Sequence, residues 1–262
     1  MEREQRVVLI SGASRGIGAA TAREMGRRGY HVVVNYRRND EAAEQVVREV
    51  GAAGGSARAV RADVCIPEDV AGMVDRIIAE HGRIDALVCN ANTVNPPFEP
   101  LLTLGWDDFI GKVNGELAGA YFLTQSVLRV MAKERRGRIV YVSSTAADST
   151  GSVVAHSTAK AALNTFSRHV AGVAAQHGVV VNTVAFGTVR TEASAGVMVG
   201  ELRALMESRS VSGRLLEADD AARSVALLAA DEFTAAVGQV IRVDGGFDVL
   251  DQRLHPMVQH FE

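Results

Sequence analysis

His156 and Lys160 stand four residues apart in the stretch Val153-Val154-Ala155-His156-Ser157-Thr158-Ala159-Lys160-Ala161-Ala162, whose helical period puts both side chains on one face. An imidazole has a pKa of about 6.5, and a neighbouring ammonium ion pushes it lower by opposing a second positive charge. His156 is then mainly a proton acceptor at neutral pH. Upstream, the hydroxyls of Ser143 and Ser144 close a β-branched run, and the segment Lys112-Val113-Asn114-Gly115-Glu116 offers an amide and a carboxylate. Near the start, Ser11-Gly12-Ala13-Ser14-Arg15-Gly16-Ile17-Gly18 follows a strand-like run and opens into a helical one. Glycines there let the backbone turn sharply and approach a pyrophosphate, while the first free N–H groups of a helix face the anion. Gly12, Gly16 and Gly18 are the pyrophosphate candidates.

The elements that must position these groups alternate regularly. Val7 to Ser11 is followed by a helical Gly16 to Gly29, His31 to Asn35 by Asp40 to Gly54, and Ala57 to Arg61 by Pro67 to His81. The series continues with Ala86 to Cys89, a helical region to Arg135, Arg138 to Ser143, a helix from Val154 to His177, Val179 to Val184, and Gln239 to Val243. Seven strands joined by helical crossovers predict an α/β fold: a single-domain, Rossmann-like doubly wound sheet, mostly parallel, with helices on both faces. No linker or repeat divides the chain, so residues 1–262 read as one domain. Two segments break the rhythm, Gly187 to Arg214 and the tail from Phe247 to Glu262. Ligands of open α/β sheets bind beyond the carboxyl ends of the strands, which makes the first segment a candidate lid.

The glycine run, Asp63-Val64 after the third strand, Cys89-Asn90-Ala91-Asn92 after the fourth, and Gly238 to Gly246 at the end occur in the order seen in the short-chain dehydrogenase/reductase family. The chain resembles that family, its 3-oxoacyl-carrier-protein reductase-like members included, over nearly its whole length. The resemblance implies a nicotinamide cofactor touching Gly12, Ser14, Arg15, Gly16, Ile17 and Gly18 at the glycine turn. Tyr36 and Arg37, Asp63 and Val64, and Asn90 and Ala91 would follow along the adenosine half. Lys160, Gly187, Val189 and Thr191 would sit around the nicotinamide half. Tyr36 occupies the place where an NAD enzyme has an acid for the ribose hydroxyls, and Arg15 with Arg37 suits a 2′-phosphate, so NADP(H) is the expected cofactor.

In the family a serine binds the substrate carbonyl, a tyrosine supplies the proton, a lysine lowers the tyrosine pKa, and an asparagine completes a relay. Here the Tyr-x-x-x-Lys pattern is degenerate: Lys160 matches the lysine, and His156 stands in place of tyrosine. Strand register favours Ser144 as the serine, although spacing to His156 points to Ser143. Counting forward from Trp106 puts the asparagine near Val113 or Asn114, whereas counting back from Thr124-Gln125 puts it at Glu116. Phe186-Gly187 replaces the usual Pro-Gly, either reshaping the nicotinamide pocket or only packing. The imidazole reaches less far than a phenol, so a water would bridge it to a carbonyl held by Ser144.

Three functions remain open on these residues. The first is an NADP(H)-dependent oxidoreductase interconverting a ketone and a secondary alcohol, the substrate free or thioester-bound, through Ser144, His156 and Lys160. The second is a non-redox dehydratase, isomerase or cyclase with His156 as base. The third is a non-catalytic subunit. A net charge of −3 without a basic block argues against nucleic acid as partner. No apolar run reaches the ~20 residues of a membrane span and the N-terminus has no signal-peptide core, so a cytoplasmic protein is expected. Cys65 and Cys89, the only cysteines, lack metal-ligand spacing; no metal site is expected, and both read as buried thiols. The resemblance also implies a homo-oligomer, a tetramer, with Leu117, Tyr121, Leu128, Leu163, Phe166 and Val170 available at one interface. Leu250, Leu254, Met257 and Phe261 of the tail would serve another.

Overall fold

In a computed structural model, residues 5–95, 97–149, 153–192, 194–196, 198–247 and 249 are described. Seven strands form one sheet: β1 (Val7–Ile10), β2 (His31–Tyr36), β3 (Ser56–Arg61), β4 (Ala86–Cys89), β5 (Gly137–Ser144), β6 (Val179–Phe186) and, after two short strands, β9 (Val240–Val243). Their order is β3-β2-β1-β4-β5-β6-β9, with every pairing parallel. The order reverses between β1 and β4, and a crevice at the strands' carboxyl ends is expected there.

Among the described residues seven α-helices connect the strands: α1 (Gly16–Arg27), α2 (Asp40–Ala52), α3 (Pro67–His81), α4 (Trp106–Glu134), α5 (Val154–Ala175), α6 (Gly200–Ser208) and α7 (Ala218–Ala229). Local chemistry sets several of their ends. The Asn39 side chain accepts the Ala42 N–H at the start of α2, Pro67 opens α3, and Gly82 in the left-handed region closes it. Because side chains alternate along a strand, the sheet buries two separate cores. Leu9, Leu87, Ile139 and Val181 pack under α3, α4 and α5, while Val8, Val88, Val140 and Val184 pack under α1 and α7.

The βαβ rhythm is as expected, with small corrections at the ends. Ser11 lies beyond β1 in a turn, and α5 ends at Ala175 rather than His177. The segment 187–214 holds β7 (Val189–Arg190) and α6, and β7 pairs with β8 (Leu216–Glu217) in a two-stranded sheet that the sequence did not announce. None of α6's described residues is buried. Cys65 is only half-buried, whereas Cys89 is buried and its thiol is pushed up to about 12 by desolvation. The four apolar tail residues named above lie outside the described residues.

Candidate active site

The glycine turn is built against the neighbouring strand end. Gly12 has φ +62°, and a Cβ there would meet Ala91 Cα at 2.8 Å. At Gly18 a Cβ would lie 2.5 Å from the Gly12 carbonyl oxygen and 2.6 Å from Asn90 Nδ2. Asn90 holds this turn closed: its Nδ2 donates to the Ser11 and Gly12 carbonyls at 3.0 and 3.1 Å. The Asn90 and Ala91 N–H groups donate to Ser11 Oγ at 2.9 and 3.1 Å. Asn90 thereby shapes the loop from the neighbouring strand end. Helix α1 then begins with no side-chain cap from Arg15 and no acidic residue in its first turn. Its first N–H groups keep their capacity for an anion.

Ser14 and Ile17 are half-buried in this turn, and Thr191 closes over it, since a Cβ on Gly16 would stand 3.5 Å from the Thr191 methyl. Gly187 is tied to the sheet by its N–H bond to the Val243 carbonyl, and Val189 is buried. The segment after β6 therefore meets the segment after β1.

Arg37, Arg38, Arg61, Asp63 and Asp69 line a cavity of about 300 Å³ at the ends of β2 and β3. Arg37 Nη1 is 3.4 Å from Asp63 Oδ2, with both side chains partly in solvent. Asp63 is also held by the Cys65 N–H, and Val64 is buried beside it. Tyr36 hydrogen-bonds Asp40, which raises its phenol pKa. Arg15, exposed at the start of α1, is not a lining residue. Arg61 was missed in the sequence; it ends β3 in register with Tyr36, a pairing visible only once the strands are aligned.

Beyond β4 and β5 the acid-base residues converge. Lys160 Nζ donates to Glu116 Oε1 at 2.6 Å and to the Val142 carbonyl at 2.8 Å. Lys112 Nζ donates to Glu116 Oε2 at 2.8 Å and to Asn92 Oδ1 at 2.6 Å. Burial alone would raise the Glu116 pKa, but the two ammonium ions override it and hold the carboxyl at about 2. Glu116, not the exposed Asn114, occupies the position next to Lys160. Lys112 and Asn92 had been assigned no role; the four-residue spacing of Lys112 and Glu116 was the available signal.

His156 is half-buried, and its Nδ1 is enclosed without a hydrogen-bond partner. Burial first, and then the charges of Lys160 and Lys112, lower its pKa to about 4 against the opposing pull of Glu116. Ser144, at the partly exposed end of β5, accepts the Ala146 N–H at 3.1 Å and keeps its own hydroxyl hydrogen to donate. Ser143 is buried in the strand with no partner. Phe186 packs in the core with Val140 and Val184. No nearby tyrosine substitutes for His156: Tyr141 is buried and shares a 2.6 Å bond with Thr124, while Tyr121 is exposed on α4.

Away from this cluster, Leu117, Ala118, Tyr121, Ala162, Thr165, Phe166 and His169 line an open apolar groove of about 710 Å³ along α4 and α5. Leu163 and Val170, expected on the same face, turn inward and are buried under the helices. Among the described residues no helix is long and apolar enough to cross a membrane.

The family profile described as Enoyl-(Acyl carrier protein) reductase matches residues 12–248. The cis-4-hydroxycyclohexanecarboxylate dehydrogenase of Sinomonas cyclohexanicum is 37% identical over 93% of this chain and 96% of its own. The 3-oxoacyl-[acyl-carrier-protein] reductase of a Synechocystis species is 34% identical over 92% and 96%. A short-chain type dehydrogenase/reductase from Mycobacterium marinum superposes with a TM-score of 0.86 at 29% identity, covering 92% of this chain and 94% of that one. With its sheet order, its glycine turn and Lys160 of α5 reaching the Val142 carbonyl of β5 all of one pattern, the chain belongs to the short-chain dehydrogenase/reductase family of oxidoreductases.

Proposed function

We propose that the protein is a cytoplasmic, NADP(H)-dependent oxidoreductase that interconverts a ketone and a secondary alcohol, using Ser144, His156 and Lys160. The observation that carries this reading is Lys160 fixed by Glu116 and Val142 on the same helix face as His156. A dinucleotide suits the residues present. The uncapped start of α1 offers N–H donors to a pyrophosphate, and in the cavity at the ends of β2 and β3 the three guanidinium groups of Arg37, Arg38 and Arg61 outnumber the carboxylates of Asp63 and Asp69, which favours a 2′-phosphate. When bound, NADP(H) supplies or takes up the hydride. Ser144 donates its hydroxyl hydrogen to the substrate oxygen, and His156 takes the alcohol's proton or returns it, through a water where the imidazole falls short. Lys160 has two N–H bonds engaged and keeps one donor for a ribose hydroxyl. Segment 187–214, which carries the exposed α6, covers the substrate.

A panel of cyclic ketones and oxoacyl thioesters, followed by the absorbance of reduced nicotinamide, tests the reading. Stoichiometric loss of that absorbance is expected with at least one class. At neutral pH His156 is mostly an unprotonated base, which also suits a dehydration or isomerisation; turnover with constant absorbance would favour that chemistry. Binding of dinucleotide with no turnover of any kind would favour a non-catalytic subunit.

NADPH is expected to bind more tightly than NADH. Arg37→Ala and Arg61→Ala should each cost about 1.5–3 kcal/mol of NADPH binding and leave NADH nearly unchanged, since only the former places charge among the arginines. Fluorescence titration of both dinucleotides checks this, and tighter NADH binding by the unaltered protein would reject it.

We also propose a homotetramer in which the groove of Leu117, Tyr121 and Phe166 packs against the same groove of a second copy. Light scattering at micromolar concentration should report about four chains, and Tyr121→Glu, which places a charge in the groove, should lower that mass. A monomeric mass for the unaltered protein would remove the assembly claim.

A further inference from the structure

Three residues that the family pattern does not contain form one hydrogen-bonded group. Asn92 stands where the resembling family reads glycine, Glu116 stands where counting back from Thr124-Gln125 puts the family's asparagine, and Lys112 lies one turn before Glu116 on α4. Lys112 Nζ joins Asn92 Oδ1 at 2.6 Å to Glu116 Oε2 at 2.8 Å, and the other carboxylate oxygen receives Lys160 at 2.6 Å. The Lys112 side chain has 0% of its surface exposed and that of Glu116 4%. Lys112 therefore touches no solvent, and its contacts run inward to the site.

The charges explain why the three belong together. A carboxylate placed alone beside Lys160 would cancel its charge. With Lys112 added, the group carries one net positive charge, as a neutral asparagine beside a single lysine would. Isolated charges are costly to bury, and Glu116 is what pairs the fully buried Lys112. A proton wire through the carboxylate is a weaker account. Glu116 is held at about 2, so its protonated form would be a very rare intermediate at neutral pH.

We propose that Lys112 is a positioning residue of the active site: through Glu116 it fixes the Lys160 ammonium, and by its own charge it keeps the field at His156 positive. This rests on the proposed oxidoreductase reading for what Lys160 and His156 do, but not for the geometry. Among the described residues the charged groups that act on His156 are Lys160 on its own helix and Lys112 and Glu116 on α4.

Histidine-selective NMR of the full chain reads the effect without any turnover. The protein has seven histidines, and His156 is assigned by its loss in His156→Gln. In Lys112→Met the His156 midpoint should rise by roughly one unit from its low value, because one of its two neighbouring cations is gone. Lys112→Arg should keep the wild-type midpoint. The double variant Lys112→Met with Glu116→Gln removes one charge of each sign and should bring the midpoint back toward the wild type. A folded Lys112→Met with an unmoved midpoint would overturn the proposal, since a merely structural lysine predicts that outcome. Should Lys112→Met fail to fold, the double variant decides: recovery of a cooperative melt supports the pairing, and failure of both refutes it. An absence of ketone reduction, by contrast, would refute the oxidoreductase reading and leave these midpoints unchanged.

Discussion

Ketone reduction is expected to slow about tenfold for each unit of pH above the His156 midpoint, while alcohol oxidation stays level across the same range. The two limbs have one cause. Burial and the charges of Lys160 and Lys112 hold the imidazole at about 4, so the protonated form needed to donate to a carbonyl grows scarcer as pH rises. The neutral form needed to accept an alcohol's proton is already complete by neutrality. A tyrosine in that place would give an alkaline limb instead. His156→Gln should lower the rate by about 10²–10⁴-fold and flatten the reductive slope, because a positioned acid-base group contributes about that much. Rates of both directions between pH 5 and 9 check the prediction. A reductive rate that is level over this range, with His156→Gln unchanged, would strip His156 of its proton-transfer role.

Glu116→Gln is expected to be among the most destabilising single changes in the molecule. It leaves the buried ammonium ions of Lys112 and Lys160 beside each other without their shared carboxylate. Breaking a buried ion pair by removing one partner costs about 3–5 kcal/mol. For a chain of this size each kcal/mol moves the melting temperature by roughly 2–4 °C, so a fall of about 6–20 °C is expected. Removing the exposed pair of Arg203 and Glu207 serves as a control, since such pairs contribute only about 0–1 kcal/mol.

The pH dependence follows with a definite sign. Glu116 titrates at about 2 when folded and near 4.5 when unfolded, so its contribution is complete above 4.5 and is lost as pH falls toward 2. The gap between wild type and Glu116→Gln should narrow over that window. His156 acts at higher pH in the same direction: its folded midpoint of about 4 lies below 6.5, so the unfolded chain gains the proton first and stability declines from 6.5 toward 4. Thermal melts of wild type and variant at several pH values report both effects.

The layout of the sheet was legible because its buried strands are short Val-rich runs between helical segments, and each run alone signals its element. The glycine turn was legible for the same local reason. What stayed hidden depended on distance in sequence. Counting along the chain could not choose between Asn114 and Glu116, because α4 runs unbroken from Trp106 and turns one side chain out and the other in. Lys112 finds Asn92 twenty positions earlier in the sequence, and Arg61 meets Arg37 and Arg38 only through the register of two strands. Leu163 and Val170 carry the same apolar signal as Phe166, and only the packing of α5 on the sheet separates the buried from the groove-lining residues.

The clamp that Asn90 places on the glycine turn bears on how the molecule comes together. Strands β1, β2 and β3 lie within residues 7–61 and can pair with one another while the rest of the chain is still open. The contacts of Asn90 with Ser11 and Gly12 span 79 and 78 residues, and they form only when β4 docks beside β1. Such distant pairings carry a large loop-closure entropy and come late in folding. An early intermediate made of the first half-sheet would therefore possess the glycine sequence without its shape. Acquisition of the dinucleotide-binding conformation thus reports the joining of the two halves, and a ligand that selects that conformation would draw folding toward completion by mass action.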